Sequence, residues 1–273
     1  MLSAYHTANL KEEALDFASR TIRAVQDGYK PEFQRDIRTF ALAVVRKFSN
    51  AGRFAEALEV QRGLRERLVP QAPDHSAWSH DILGTYLKIG DTAAAMQFRF
   101  DTWDLYRTAL GAGSATAMDW ARMIVRQYQI EGDDDAAIEF HSRVRGLLDP
   151  TTSTYISWAR QLVRMYHQQQ READELAVIE DVWRHLNLNS HGYRAWTTEL
   201  ASKYQKMGQK DKAVLVLETV YTAIRERMES QTGRPDEIWK YHERGIAFSL
   251  TQAYKQNGRP DLAIPLQAQY ASE

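Results

Sequence analysis

The 273-residue sequence has no cysteine, and only seven prolines and 14 glycines. Without cysteine there is no disulfide framework, thiolate metal site, thiol nucleophile or redox switch. The absence fits a reducing, cytoplasmic setting. With so little proline and glycine, no low-complexity linker divides the chain. An excess of charge of one sign is missing too: 35 Lys and Arg face 36 Asp and Glu, a net charge of −1. Such balance argues against wholesale attraction to nucleic acid or to an anionic membrane. No apolar run approaches the ~18 residues that span a bilayer. The N-terminus lacks the basic region and apolar run of a signal peptide. A cytoplasmic chain with no membrane association is therefore expected.

Signatures of catalysis are equally scarce. Neither G-x-x-x-x-G-K-[ST] nor G-x-G-x-x-G occurs, so no phosphate-cradling loop is indicated. The eight histidines do not form H-E-x-x-H, and there is no G-x-S-x-G elbow. Asp133-Asp134-Asp135 lies between Gly132 and an apolar helix, which suits an N-cap and dipole complement better than a metal cluster. Expected, then, are no enzyme activity, no cofactor and no metal.

What is present is a repeat. Trp120-Ala-Arg-Met-Ile-Val-Arg-Gln-Tyr128 and Trp158-Ala-Arg-Gln-Leu-Val-Arg-Met-Tyr166 share six residues in register, 38 positions apart. Their terminal aromatic is an anchor that recurs at Phe48, Tyr86, Tyr128, Tyr166, Tyr204 and Tyr254. Four residues after the anchor stand Gly52, Gly90, Gly132, Gln170, Gly208 and Gly258. Nine after it stand Ala57, Ala95, Ala137, Glu175, Ala213 and Ala263. Val44, Ile82, Ile124, Leu162, Leu200 and Leu250 lie four before it, and Trp78, Trp120, Trp158 and Trp196 eight before. Residues four apart share a helix face, so −8, −4 and 0 form one apolar stripe. Glycine at +4 ends that helix in a left-handed cap, and the small residue at +9 lets a second helix come close. Each unit is thus helix A, a tight turn and helix B. Read this way the tryptophans belong to the core and not to a stacking platform.

These positions resemble those of the tetratricopeptide repeat (TPR) family. The likeness is clearest in Tyr204-Gln-Lys-Met-Gly208-Gln-Lys-Asp-Lys-Ala213 and Phe48-Ser-Asn-Ala-Gly52-Arg-Phe-Ala-Glu-Ala57. The intervals of 38, 42, 38, 38 and 50 residues exceed the family's usual period, and resemble its kinesin-light-chain-like subtype. Pro73-Asp74-His75 and Leu110-Gly111 fit the element that follows that subtype's extended helix B. The resemblance implies an all-α fold, an α-solenoid wound as a right-handed superhelix of helix–turn–helix repeats. It also implies a single domain over 1–273, with a partial repeat in 1–30 (Tyr5, Asn9 and Ala14 at 0, +4 and +9) and six repeats across 36–273. Gln170 and Glu175 predict a looser or displaced turn in the fourth unit, and Pro265 predicts a kinked or shortened last helix. Neither end shows a polar capping helix. The chain is therefore expected to be a segment of a longer array or to pair with a second copy.

In the resembled family, helix A lines a concave groove at about −9, −6, −5, −2, +1 and +2. Mapped here, those positions hold Asp119, Arg122, Met123, Arg126 and Gln129 in the third unit. The fourth gives Arg160, Gln161, Arg164, His167 and Gln168; the first Arg46 and Asn50; the second His80, Asp81 and Lys88; the fifth Glu199, Gln205 and Lys206. The candidate partner-binding residues are Arg46, His80, Arg122, Arg126, Arg160, Arg164, His167 and Lys206. Guanidinium groups present a planar fork matched to carboxylate or phosphate, although surface arginines also serve as plain ion-pair partners. The Lys-Arg-Asn clamp by which some family members hold chaperone C-termini lacks its Asn positions here, where Arg126 and Arg164 stand, so that activity is not implied. The expected function is a non-catalytic scaffold for protein–protein interaction that holds an acidic partner segment. The alternatives are single-stranded nucleic-acid binding or a regulatory or sensor module of a larger multidomain protein.

Overall fold

A computed structural model describes residues 20–21, 34–190, 192–230 and 237–271. Tyr5, Asn9 and Ala14, on which the partial N-terminal repeat was inferred, lie outside the described residues. Among those described there is no strand, and twelve helices follow in pairs. They are α1 (Gln34–Asn50), α2 (Phe54–Arg65), α3 (Pro73–Ile89), α4 (Thr92–Leu110), α5 (Ala115–Glu131), α6 (Asp134–Arg145), α7 (Ser153–Gln168), α8 (Glu172–His185), α9 (Tyr193–Lys206), α10 (Lys210–Glu229), α11 (Glu237–Gln256) and α12 (Pro260–Ala271). Odd numbers are helix A of each repeat and even numbers helix B. The fold is an all-α solenoid of TPR-like repeats.

Packing divides the chain into two compact units, one ending at Phe140 and one starting at His141, inside α6. In the first unit α1 to α5 pack in chain order. In the second, α7 to α12 do the same, and α9 also touches α11, as expected where one helix A follows another.

The apolar stripe read from the sequence is the core. Trp78, Trp120, Trp158 and Trp196 are buried to 2% exposure or less, and Ala57, Ala95, Ala137, Ala213 and Ala263 are fully buried. A buried indole removes about 150–250 Å² from water, a gross gain of several kcal/mol at ~25 cal/mol per Å². The residue fourteen after one anchor meets the next anchor, which sets the register between repeats. Glu180 accepts from the Tyr204 hydroxyl and Glu218 from the Tyr254 hydroxyl, each at 2.6 Å. Ser142 and Tyr166 hydroxyls are 3.4 Å apart, and the Phe100 ring lies 6.4 Å from that of Tyr128.

All six turns are built alike. The +4 amide bonds to the +1 carbonyl and the +5 amide to the anchor carbonyl, as in Gly132→Gln129 (3.2 Å) and Asp133→Tyr128 (2.9 Å). This 6→1 and 5→2 pattern is a Schellman cap. The fourth turn departs from expectation: it is neither looser nor displaced. Gln170 adopts φ 58° and makes the same two bonds, Gln170→His167 at 3.1 Å and Arg171→Tyr166 at 2.9 Å. Left-handed backbone costs a residue with a Cβ about 1–2 kcal/mol. Packing of α7 against α8 outweighs that cost. Pro265 does not end the last helix, because α12 continues past it to Ala271. Pro265 and Asp261 are both exposed, so water satisfies the carbonyl that loses its donor.

Candidate functional site

The candidate residues sit on the exposed faces of the A helices, and their neighbours sort them into two groups. At −6, Arg122 contacts Asp119 one turn earlier on α5 through a single 2.5 Å bond. Arg160 reaches from α7 to Glu199 on α9, and its guanidinium lies 3.6 Å over the Trp196 ring. At −2, Arg46, Arg126 and Arg164 are exposed and make no ion pair or hydrogen bond among the described residues. Lys206, on the last turn of α9, is likewise exposed and without such a partner.

The two histidines are engaged locally. His80 bonds the Ser76 carbonyl at 2.8 Å, and its ring centroid is 4.9 Å from that of Trp120. The His167 Nδ1 lies 3.3 Å from Glu175 Oε2, with most of its ring in solvent. Arg122 and Arg126 belong to the first unit, and Arg160 and Arg164 to the second.

The availability of these charges follows from what surrounds them. The Arg122–Asp119 pair is more than half exposed on both sides, so its Coulomb energy is largely screened, and such pairs are worth about 0–1 kcal/mol. An incoming carboxylate could displace Asp119 at little cost. Arg160 is held more firmly, by a half-buried carboxylate and by an indole face.

Two clusters were not anticipated. Glu175 stands where other repeats have alanine, and it forms a buried pair with Lys203 of α9, Nζ to Oε2 at 2.7 Å. The Lys203 ammonium contacts the buried Glu175 carboxylate and neutralises its charge. The sequence signal was the Glu itself, read above as a weakened turn. The second cluster joins Arg145, Tyr155 and Asp181. Arg145 donates to Asp181 at 2.6 Å and to the Tyr155 oxygen at 3.0 Å, and the Tyr155 hydroxyl donates to Asp181. Burial and then the Asp181 carboxylate push the Tyr155 hydroxyl up to about 12. Burial raises Asp181, but hydrogen bonds from Tyr155 and Arg145 outweigh it and leave the carboxyl below its usual range. The Tyr155 hydroxyl and the Asp181 carboxylate are engaged within this cluster, which leaves only Arg145 Nε without a partner among the three side chains' buried atoms.

The remaining motifs have structural roles. Asp133 accepts from the Ala136 amide at 3.0 Å, as an N-cap should. Ser114, after Gly111-Ala-Gly113, caps α5 through the Ala117 amide. His75 of Pro73-Asp74-His75 is buried against the Tyr106 hydroxyl at 2.7 Å, and burial, then the Arg65 charge, depresses its imidazolium to about 4. Among the described residues no three His, Asp or Glu side chains group as metal ligands, and no helix is long and apolar enough to cross a membrane.

No protein-family model and no curated protein matches the chain. Solved structures similar to it include a kinesin light chain protein of Podosopora anserina with nearly identical TPR-like repeats. That likeness has 20% identity, covers 73% of this chain and 94% of the other, and has a TM-score of 0.43. The C-terminal part of a TPR repeat-containing protein from Cytophaga hutchinsonii is 12% identical over 97% of this chain and 92% of its own, with a TM-score of 0.39. BtubC from P. vanneervenii is 14% identical over 83% and 95%, with a TM-score of 0.38.

Proposed function

We propose that this chain is a non-catalytic interaction scaffold whose helix A faces hold an acidic segment of a partner protein. The observation that carries this reading is the −2 position, where Arg46 and Arg126 in the first unit and Arg164 in the second are exposed guanidinium groups with no carboxylate partner among the described residues. Exposed ion pairs are worth about 0–1 kcal/mol each, so the reading rests on several such contacts, and no internal pair is lost when a ligand carboxylate arrives. Lys206 adds a cation at the end of α9. Arg122 contributes less, since Asp119 competes for it, and Arg160 least.

The repeats support the reading by packing each A helix against at least one B helix, which fixes the backbone positions of the cations, while each exposed side chain still loses rotamer freedom on binding. The test is an array of short peptides of graded Asp and Glu content, probed with the full chain and with Arg126→Glu/Arg164→Glu. Capture of acid-rich peptides by the wild type and its loss in the double variant supports the proposal. Equal capture by both proteins sinks it, as does displacement of the acidic peptides by an equal concentration of oligo-uridine, which points to single-stranded nucleic acid instead.

A further inference from the structure

The longest interval between anchors, 50 residues from Tyr204 to Tyr254, has a consequence in the second unit. α11 begins seventeen residues before its anchor, at Glu237, whereas α9 begins eleven before its own, at Tyr193. The first turns of α11 therefore have no equivalent stretch of α9 beside them. A cavity of about 630 Å³ opens there, floored by Val220 and Ile224 of α10 and walled by Ile238 and Trp239 of α11 and Arg194 of α9. Small-molecule sites typically occupy about 300–1,000 Å³.

The described lining mixes apolar side chains with Asn189, Ser190 and His242 and carries one cation, Arg194. The Arg194 guanidinium lies 4.6 Å over the Tyr241 ring and donates to its hydroxyl at 3.1 Å. Gly245 makes that approach possible, since a Cβ there would stand 2.5 Å from Arg194 Nη1. The side chain is thus fixed from α11, yet no carboxylate pairs with it among the described residues. The nearby acids are engaged elsewhere: Glu237 lies 3.1 Å from Lys240 and Glu243 3.8 Å from Arg225. His242 also lines the cavity, and burial, then the Arg194 charge, keeps its imidazolium below the ordinary range. The ring is neutral at pH 7, which leaves Arg194 as the cation of the wall.

A half-buried guanidinium with no counter-charge among the described residues, beside apolar side chains, suits an anion with an apolar body. We infer that this cavity binds a small amphiphilic anion, with a carboxylate or sulfonate head at Arg194 and an aromatic or aliphatic body against Ile238 and Trp239. This site is separate from the −2 arginines and does not depend on the acidic-segment reading.

The test uses the full chain and two probes that share one ring system: 8-anilinonaphthalene-1-sulfonate, which is anionic, and N-phenyl-1-naphthylamine, which is uncharged. The expected result is saturable binding of one anionic probe per chain, weaker binding of the uncharged one, and a loss of about tenfold in anionic-probe affinity in Arg194→Gln. That variant should leave the uncharged probe unaffected. Ala195→Phe, on the exposed rim, narrows the mouth without touching the packed floor and should weaken both probes at unchanged melting temperature. Absence of saturable anionic-probe binding overturns the inference. So does Arg194→Gln with wild-type affinity for the anion, or Ala195→Phe with wild-type affinity for both probes.

Discussion

Arginines six and two residues before the anchor occupy the same exposed face of helix A, one turn apart, and differ entirely in what they touch. Arg122 and Arg160, at −6, meet Asp119 and Glu199; Arg126 and Arg164, at −2, meet no carboxylate among the described residues. The residue type and helix are the same in both rows. The difference comes from one neighbour: an acid three residues earlier in one case and an acid on the next A helix in the other. An arginine that already has a partner contributes to the fold. One without a partner can contribute to binding. Lys203, buried against Glu175, is the extreme of the first kind.

The comparison can be broken most severely at that extreme. Lys203→Met is expected to cost about 3–5 kcal/mol, because it strands a buried Glu175 carboxylate. Urea denaturation measures this, and a loss under 1 kcal/mol would mean that the pair is solvated.

Histidines divide in the same way. His141 is fully buried, stacked 4.0 Å from the Trp158 ring centroid, and burial depresses its imidazolium to about 4. Its folded pKa lies below its unfolded one, so the unfolded state binds the proton more readily. Stability is complete above about pH 6.5, falls as pH drops toward 4, and levels off below. The loss at pH 5 is roughly 2 kcal/mol for this one group. His141→Leu should remove that share of the slope, since the same position holds Ile179 and Leu217 in the next two repeats. An unchanged slope would show that His141 is not the group responsible.

The two arginine rows give a smaller but sharper contrast. Arg160→Ala should cost about 1–2 kcal/mol through its lost ion pair and indole contact. Arg164→Ala should change stability by under about 0.5 kcal/mol. Equal melting temperatures for the two variants would erase the distinction. Smaller still is Gln170→Gly, which relieves left-handed backbone strain and should stabilise by about 0.5–1 kcal/mol. A destabilised Gln170→Gly would mean that the Gln170 side chain holds the turn.

Much of this architecture could be read from the sequence because it repeats. Six anchors, five of them with glycine at +4 and alanine at +9, gave the helix ends and the close contacts. The fourth turn was misread because the sequence shows the missing glycine and alanine but not the helix packing that holds Gln170 left-handed, nor Lys203, 28 residues on, that neutralises Glu175. The basic faces were legible as a set of residues and not as two rows. Asp119 sits three residues from Arg122 and could have been noticed. Glu199 is 39 residues from Arg160, and only the packing of α7 near α9 makes it a partner. For the cavity beside Arg194, the only sequence signal was the 50-residue interval.

The central claim is that the arginines without partners, and not the paired ones, bind acidic segments. Its most direct test is fluorescence anisotropy with an acid-rich peptide selected on the array, comparing Arg126→Glu/Arg164→Glu with Arg122→Gln/Arg160→Gln. The first pair is expected to lose about 10–100-fold in affinity and the second less than about threefold. Equal losses, or a larger loss in the second pair, would contradict the account.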